Sequence, residues 1–433
     1  VRRAACAVLF AVLFVAPAPA QSKNLCGSAS IAAGPAPLTV TFTSTCGAVH
    51  WDFGDGQSAD GETAQHTFAA GAWTVYDGSE KVGVITSRGI SLRMPPLVGY
   101  RHRLTFRGAV VPPLAGEAVT ISAAGQALGS ARTHADGTFR LTRRIRAPGP
   151  FEATWIDARS RAASTTVRPQ LVARLVGVRT IGSPLSVTAK LVPAAAGTLH
   201  IRVLRGRRLV ADARGPRVRL DTHTAATYRI RISSAPAAGY AARTRTLDAT
   251  VSLPYLSRGS VGPSVRALEK RLWELHYALL RVDGSYDQDT YDAVVAFEKV
   301  NGLPRTGAVT PALWHRLQDA AVPRARYGGN HVEVDKARQV LLEVRSGKVT
   351  LVVPVSTGAT GNTPAGLWHV YSRIAGWSWV LWYPTYFLRG FAIHGYPEVP
   401  AYPASHGCVR VPMWVATRLF AMHPYGFPIY IYT

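Results

Sequence analysis

This sequence predicts a multi-module, mainly β protein with one small helical module, and three observations carry the prediction. The chain has 433 residues, well beyond what one hydrophobic core organises at roughly 150 residues per domain. Its 39 Gly and 29 Pro punctuate short runs in which apolar and polar residues alternate, the period-2 signature of half-buried strands. Helical periodicity is confined to a stretch after Pro254. Apolar residues make up 47% and charged residues only 17%, which excludes a disordered chain and a coiled coil.

The amino terminus predicts the compartment. Arg2 and Arg3 precede an apolar run from Ala4 to Val15 and then Ala16-Pro17-Ala18-Pro19-Ala20, the charged, apolar and small-residue regions of a secretory signal. Residues 1–20 are therefore expected to be a signal peptide cleaved near Ala20, and the run is short for a membrane span; an uncleaved anchor is the alternative. Export to an oxidising compartment makes a Cys26–Cys46 disulfide plausible, because both lie in one small domain. Cys6 leaves with the signal and Cys408 is left over. A lone exported thiol with histidines nearby is a candidate nucleophile.

Residues 24–92 alternate apolar positions with Gly-Asp-Gly turns, as in Trp51-Asp52-Phe53-Gly54-Asp55-Gly56 and His66-Thr67-Phe68, a pattern for a small β-sandwich. These residues resemble the polycystic-kidney-disease (PKD)-type repeat, with Phe68 where the repeat has tyrosine. The resemblance implies an adhesive or spacer module, with Trp51 and Phe53 in its core. Two further segments, 97–168 and 169–253, carry strand-like runs such as Leu199-His200-Ile201-Arg202-Val203 between regular turns, and predict two immunoglobulin-like sandwiches. Between Tyr100 and Val251 stand 25 basic and seven acidic residues. That holds most of the chain's formal charge of +24 in one long segment, either a solvated basic face or a surface for an acidic polymer. Nucleic acid is not the expected partner.

In 255–320 the apolar residues Val265, Leu268, Leu272 and Leu275 fall on one helical face, Asp289-Thr290 starts a second helix and Thr310-Pro311 a third. Together with Val282-Asp283-Gly284-Ser285-Tyr286, Asn301-Gly302-Leu303 and Leu313-Trp314, this three-helix pattern resembles the first type of peptidoglycan-binding domain. It departs at Glu298, where that family often has glutamine.

After a linker, Pro323 to Gly329, the chemistry concentrates in Ile393-His394-Gly395-Tyr396 and Ser405-His406-Gly407-Cys408-Val409-Arg410. A free cysteine has a pKa of about 8.5, so thiol chemistry at neutral pH needs a base or a positive charge close by. His406 lies two positions from Cys408 and on extended backbone would share its face, while His394 would approach from a neighbouring strand. Gly407 leaves room for a carbonyl to approach backbone N–H groups that stabilise an oxyanion. From residue types alone three readings stay open: a Cys/His nucleophilic enzyme, a zinc site using His394, His406 and Cys408, and incidental buried residues. Neither CxxC pairs nor HExxH occur to strengthen zinc.

The segment 328–433 resembles the catalytic domain of the YkuD-like L,D-transpeptidases. The resemblance rests on Ser405-His406-Gly407-Cys408 with Arg410 two residues on, the upstream Ile393-His394-Gly395, Pro354-Val355-Ser356-Thr357-Gly358 and Thr363-Pro364-Ala365-Gly366. It implies a mostly β domain in which Cys408 is the nucleophile, His394 the general base and Gly395 a carbonyl that orients it. It further implies that His406, Gly407 and Cys408 form the oxyanion turn, that Ser405 braces it and that Arg410 positions site or substrate. Trp377 and Trp379, in an aromatic stretch ahead of His394, and Tyr396 are candidate substrate contacts; the stretch would be a lid or core packing.

The expectation is thus an exported cell-wall enzyme, acting without cofactor or metal as a monomer. Its partners would be peptidoglycan stem peptides and glycan, with anionic wall polymers as further candidates. A carboxypeptidase, a zinc wall peptidase and an inactive wall-binding adhesin are the alternatives.

Overall fold

The computed structural model describes residues 26–433; the expected signal at 1–20 lies outside them. Strand accounts for 50% of the described residues and helix for 12%, so they are mainly β. Among the described residues no helix is long and apolar enough to cross a membrane. The chain divides into two compact units, one of residues 26–170 with Pro236–Ala241 and one of Leu171–Ala235 with Ala242–Thr433.

In the first unit the strand Leu38–Ser44 pairs with Gly27–Ala29 and Thr63–Phe68, and its alternation buries Leu38, Val40 and Phe42 against Trp51, Phe53 and Phe68. The turn after Phe53 needs its glycine: Gly54 has φ +73°, and a Cβ there would lie 2.3 Å from the Thr74 carbonyl oxygen. His66 stacks on Phe53 with ring centroids 4.1 Å apart and donates to Asp55 at 2.7 Å, pinning that turn. Cys26 and Cys46 form a disulfide, with Cα atoms 5.4 Å apart. Glu80–Ile90 pairs with Gly71–Asp77 and, through Gly89 and Ile90, with Arg103–Val111. One sheet therefore runs on past residue 92 into the next segment.

The second unit begins with a three-stranded sheet, Gln170–Gly177, Leu185–Val192 and Arg217–Leu220, and a four-stranded one, Arg208–Arg214, Gly197–Arg205, Thr227–Pro236 and Thr244–Thr250. Three helices follow: α1 (Pro263–Glu274), α2 (Gln288–Val300) and α3 (Pro311–Asp319). The apolar stripe of α1 is buried, and Thr310 caps α3 by accepting from the Leu313 N–H while Pro311 occupies its first turn. Glu298 is structural: its carboxylate accepts from the Gly307 N–H at 2.8 Å and the Thr306 hydroxyl at 2.9 Å, holding the turn after α2.

The carboxyl-terminal region has ten strands: β1 (His331–Asp335), β2 (Val340–Arg345), β3 (Lys348–Pro354), β4 (Gly366–His369), β5 (Ser372–Arg373), β6 (Trp377–Ser378), β7 (Leu381–Leu388), β8 (Phe391–Tyr396), β9 (Val409–Pro412) and β10 (Pro428–Tyr432), with α4 (Met413–Met422) after β9. One sheet runs β3-β2-β1-β10-β4 and the other β5-β7-β8-β9, with β6 pairing β7. Val334, Leu341, Val353, Ile393, Val409, Val411, Leu419 and Ile431 form the shared core.

The helical module is built onto this region. Residues 276–278 add to the edge of β3: the Ala278 N–H donates to Val352 O at 2.9 Å and the Val352 N–H to His276 O at 2.8 Å, and Ala278 enters the shared core. Lys299, buried on α2, donates to Val355 O at 2.9 Å, and Trp414 on α4 donates to Asp292 on α2 at 3.0 Å.

Candidate active site

A parallel pair of strands positions the histidine beside the segment that follows the cysteine. β8 and β9 align Ile393 with Val409, His394 with Arg410 and Gly395 with Val411. Side chains alternate along a strand, and Ile393, Val409 and Val411 all enter the core. The opposite face therefore carries His394 and Arg410, and Cys408 stands just before the strand, two residues ahead of Arg410. Tyr396 shares that face: its ring lies 5.9 Å from the His394 ring and 4.0 Å beneath the Arg410 guanidinium.

His394 is buried and its Nδ1 lies 2.9 Å from the Gly395 carbonyl oxygen. A carbonyl only accepts, so Nδ1 carries the proton and Nε2 keeps its lone pair. Burial lowers the His394 pKa to about 4, against the hydrogen bond to Gly395; the Arg410 charge lowers it further. Cys408 is a free thiol and partly covered. Burial pushes its pKa up, while the Ala392 N–H and Arg410 pull it back, and its Sγ lies 3.7 Å from the Gly390 carbonyl oxygen. Both shifts favour the neutral pair, thiol and imidazole, at rest.

The turn that carries Cys408 is braced from inside and from the 356–363 segment. Ser405 Oγ donates to Cys408 O at 2.6 Å and accepts from the Gly407 N–H at 3.0 Å. That commits the Gly407 N–H to the turn itself, which removes one of the oxyanion donors expected from the sequence. Asn362 donates to His406 O at 2.8 Å, and Thr363 donates to Gly407 O at 2.8 Å while accepting from the Gly358 N–H. Gln339 bonds both sides of Thr357. Gly407 has φ +134°, and a Cβ there would lie 2.3 Å from Phe391.

His406 is exposed and contributes its backbone carbonyl to the turn. Trp377 and Trp379 are exposed, Trp379 by 90% at the hairpin tip with φ +55°. Core packing is thus ruled out for these two rings. Trp377 packs against Trp382, 5.0 Å between centroids with the rings tilted by 52°, and Trp382 aligns with Gly395 on β8, so the hairpin base rather than its tip adjoins the site.

Asn362, Thr363 and Gln339 had no role in the sequence reading, although Thr357-Gly358 and Thr363-Pro364 lay in its quoted motifs. Among the described residues no group of three or more His, Cys, Asp or Glu side chains is placed to hold a metal ion.

Residues 329–431 match the YkuD L,D-transpeptidase catalytic domain and residues 261–317 a peptidoglycan-binding domain. Among solved structures the chain is similar to an L,D-transpeptidase (residues 123-326) from Xylanimonas cellulosilytica, at 38% identity over 41% of this chain and 97% of that one, with a TM-score of 0.39. It is also similar to one from Stackebrandtia nassauensis, at 25% identity over 41% and 95%, with a TM-score of 0.27. No curated protein matches the chain. The two matched domains define a protein that acts on peptidoglycan. Through its carboxyl-terminal domain the chain belongs to the L,D-transpeptidase family.

Proposed function

We propose that Cys408 is the nucleophile of a cysteine acyltransferase that forms 3→3 cross-links. One observation carries the reading: His394, with its Nδ1 held by the Gly395 carbonyl and its Nε2 keeping a lone pair, stands on the strand beside the one that Cys408 immediately precedes.

The neutral pair sets the mechanism. His394 Nε2 takes the thiol proton as Sγ attacks the carbonyl of the third residue of a stem tetrapeptide, so thiolate is generated only as it is consumed. The oxyanion is stabilised by backbone N–H groups of the 406–408 turn other than that of Gly407, and collapse breaks the C–N bond. The proton on His394 passes to the leaving D-alanine amine, and a thioester remains. The side-chain amine of a diamino acid on a second stem then attacks the thioester carbon. The C–S bond breaks, a new amide forms, and His394 relays the amine proton to the sulfur. Water in place of the amine makes the same site a carboxypeptidase.

Arg410, seated over Tyr396, positions the site or the substrate. Trp377 and Trp379 offer exposed rings for the remoter parts of a peptidoglycan strand. The 255–320 module would bind glycan, and the basic 97–253 segment would favour retention at anionic wall polymers in an exported protein. Wall binding that persists unchanged in high salt would contradict that last role.

The test is incubation with a disaccharide-tetrapeptide and mass analysis of the products beside Cys408→Ala. A dimer lacking one D-alanine, absent with the variant, supports the reading. Tripeptide alone points to the carboxypeptidase.

A further inference from the structure

A cleft of about 610 Å³ separates the helical module from the 397–404 loop of the catalytic region and opens onto Arg410. Arg410 is two residues along the chain from Cys408, so the cleft comes within roughly 7 Å of the cysteine backbone.

The far wall belongs to the helical module. There Arg258 lies over the Tyr291 ring at 4.1 Å and bonds the Gln288 side-chain carbonyl. Across from it Arg410 lies over Tyr396 at 4.0 Å. An arginine seated over an aromatic ring is held in place, which keeps its planar fork pre-organised for a carboxylate. Neither guanidinium is ion-paired with a carboxylate among the described residues. Asp292 on α2, which also lines the cleft, is occupied by Gln288 at 2.8 Å and Trp414 at 3.0 Å. Glu398, on the opposite lip, gives the cleft a negative group beside its two positive ones.

The cleft is also fixed in shape. Arg305 of the helical module donates to Ala401 O at 2.5 Å, and Ser356 donates to Tyr402 O at 2.7 Å. The loop is thereby tied to both modules. A site with guanidinium forks and one carboxylate suits a ligand carrying both a free carboxylate and an amine.

We propose that this cleft is the acceptor site, in which Arg258 of the helical module takes the terminal carboxylate of the second stem peptide while its side-chain amine reaches the Cys408 thioester. The assignment rests on the transpeptidase reading above and gives the helical module a part in the reaction beyond anchoring.

The partition of the acyl-enzyme between cross-linking and hydrolysis tests it. At a fixed, subsaturating concentration of acceptor tetrapeptide, Arg258→Ala should lower the ratio of cross-linked dimer to hydrolysed tripeptide about tenfold, the effect expected for losing one charge-assisted contact. Arg258→Lys should recover only part of the ratio. An acceptor with its terminal carboxylate amidated should depress the wild-type ratio similarly and the Arg258→Ala ratio no further. A variant in which dimer and tripeptide fall together, leaving the ratio unchanged, would overturn the acceptor assignment while leaving the transpeptidase intact. So would an amidated acceptor used as well as the free acid. No D-alanine release by the wild type would instead remove the transpeptidase reading, and this inference with it.

Discussion

His394 and Arg410 face each other across the parallel pair β8 and β9, in register. The cation thus stands beside the group read here as the base, and it also rests on Tyr396. Together with burial it disfavours a proton on His394, so the imidazole stays a neutral acceptor. Arg410 also draws the thiol pKa down, against the larger upward push of burial.

This arrangement predicts a pH profile. With its pKa lowered to about 4, His394 is unprotonated, and competent as a base, at every pH above that value. The acid limb of acylation should therefore fall near pH 4 rather than near the ordinary histidine value of about 6.5. His394→Ala should slow acylation by about 10²–10⁴-fold while leaving Cys408 open to alkylation. Stopped-flow acylation across pH 3–8 would expose an ordinary histidine limb, which would contradict the neutral-pair account.

Gly407→Ala should damage the cysteine turn. The substitution places Cβ 2.3 Å from Phe391 on a backbone at φ +134°, a combination worth about 1–3 kcal/mol of strain. Pairing it with Phe391→Ala should relieve the clash but not the backbone strain, restoring thermal stability only partly. Full recovery in the double variant would mean that the backbone conformation costs nothing.

Much of the site was legible in the sequence because it is short-range. The Ser405-His406-Gly407-Cys408 run is contiguous, and Arg410 follows two residues on. The braces were not legible. Asn362 and Thr363 reach the turn from 44 residues away in sequence, a loop contact that leaves no periodicity behind. Gly407 looked like an oxyanion donor because nothing local reveals that Ser405 already takes its N–H. Nothing in the sequence marks Lys299 and Asp292 as buried; they are buried because α2 packs on the catalytic region. The sheet that continues past residue 92 was hidden for the same reason: its link is a two-residue pairing between distant strands.

Lys299 offers a test of that packing. Burial, with a smaller push from Arg305 and opposition from Asp292, lowers its pKa to about 7, below the unfolded value of about 10.4. The unfolded chain then binds more protons between these values, so this group's contribution to stability rises with pH across that window and its penalty is full below about 7. Relative to Lys299→Met, the wild type should therefore gain thermal stability between pH 6.5 and pH 9.5. Parallel profiles for the two proteins would show that the amine is solvated.

The most direct test of the account is the intact mass of the protein during turnover of a stem tetrapeptide donor without acceptor. The account predicts a transient adduct of the donor minus D-alanine, mapped to Cys408 and absent from Cys408→Ala. Release of D-alanine by Cys408→Ala, or turnover that a chelator abolishes, would contradict it.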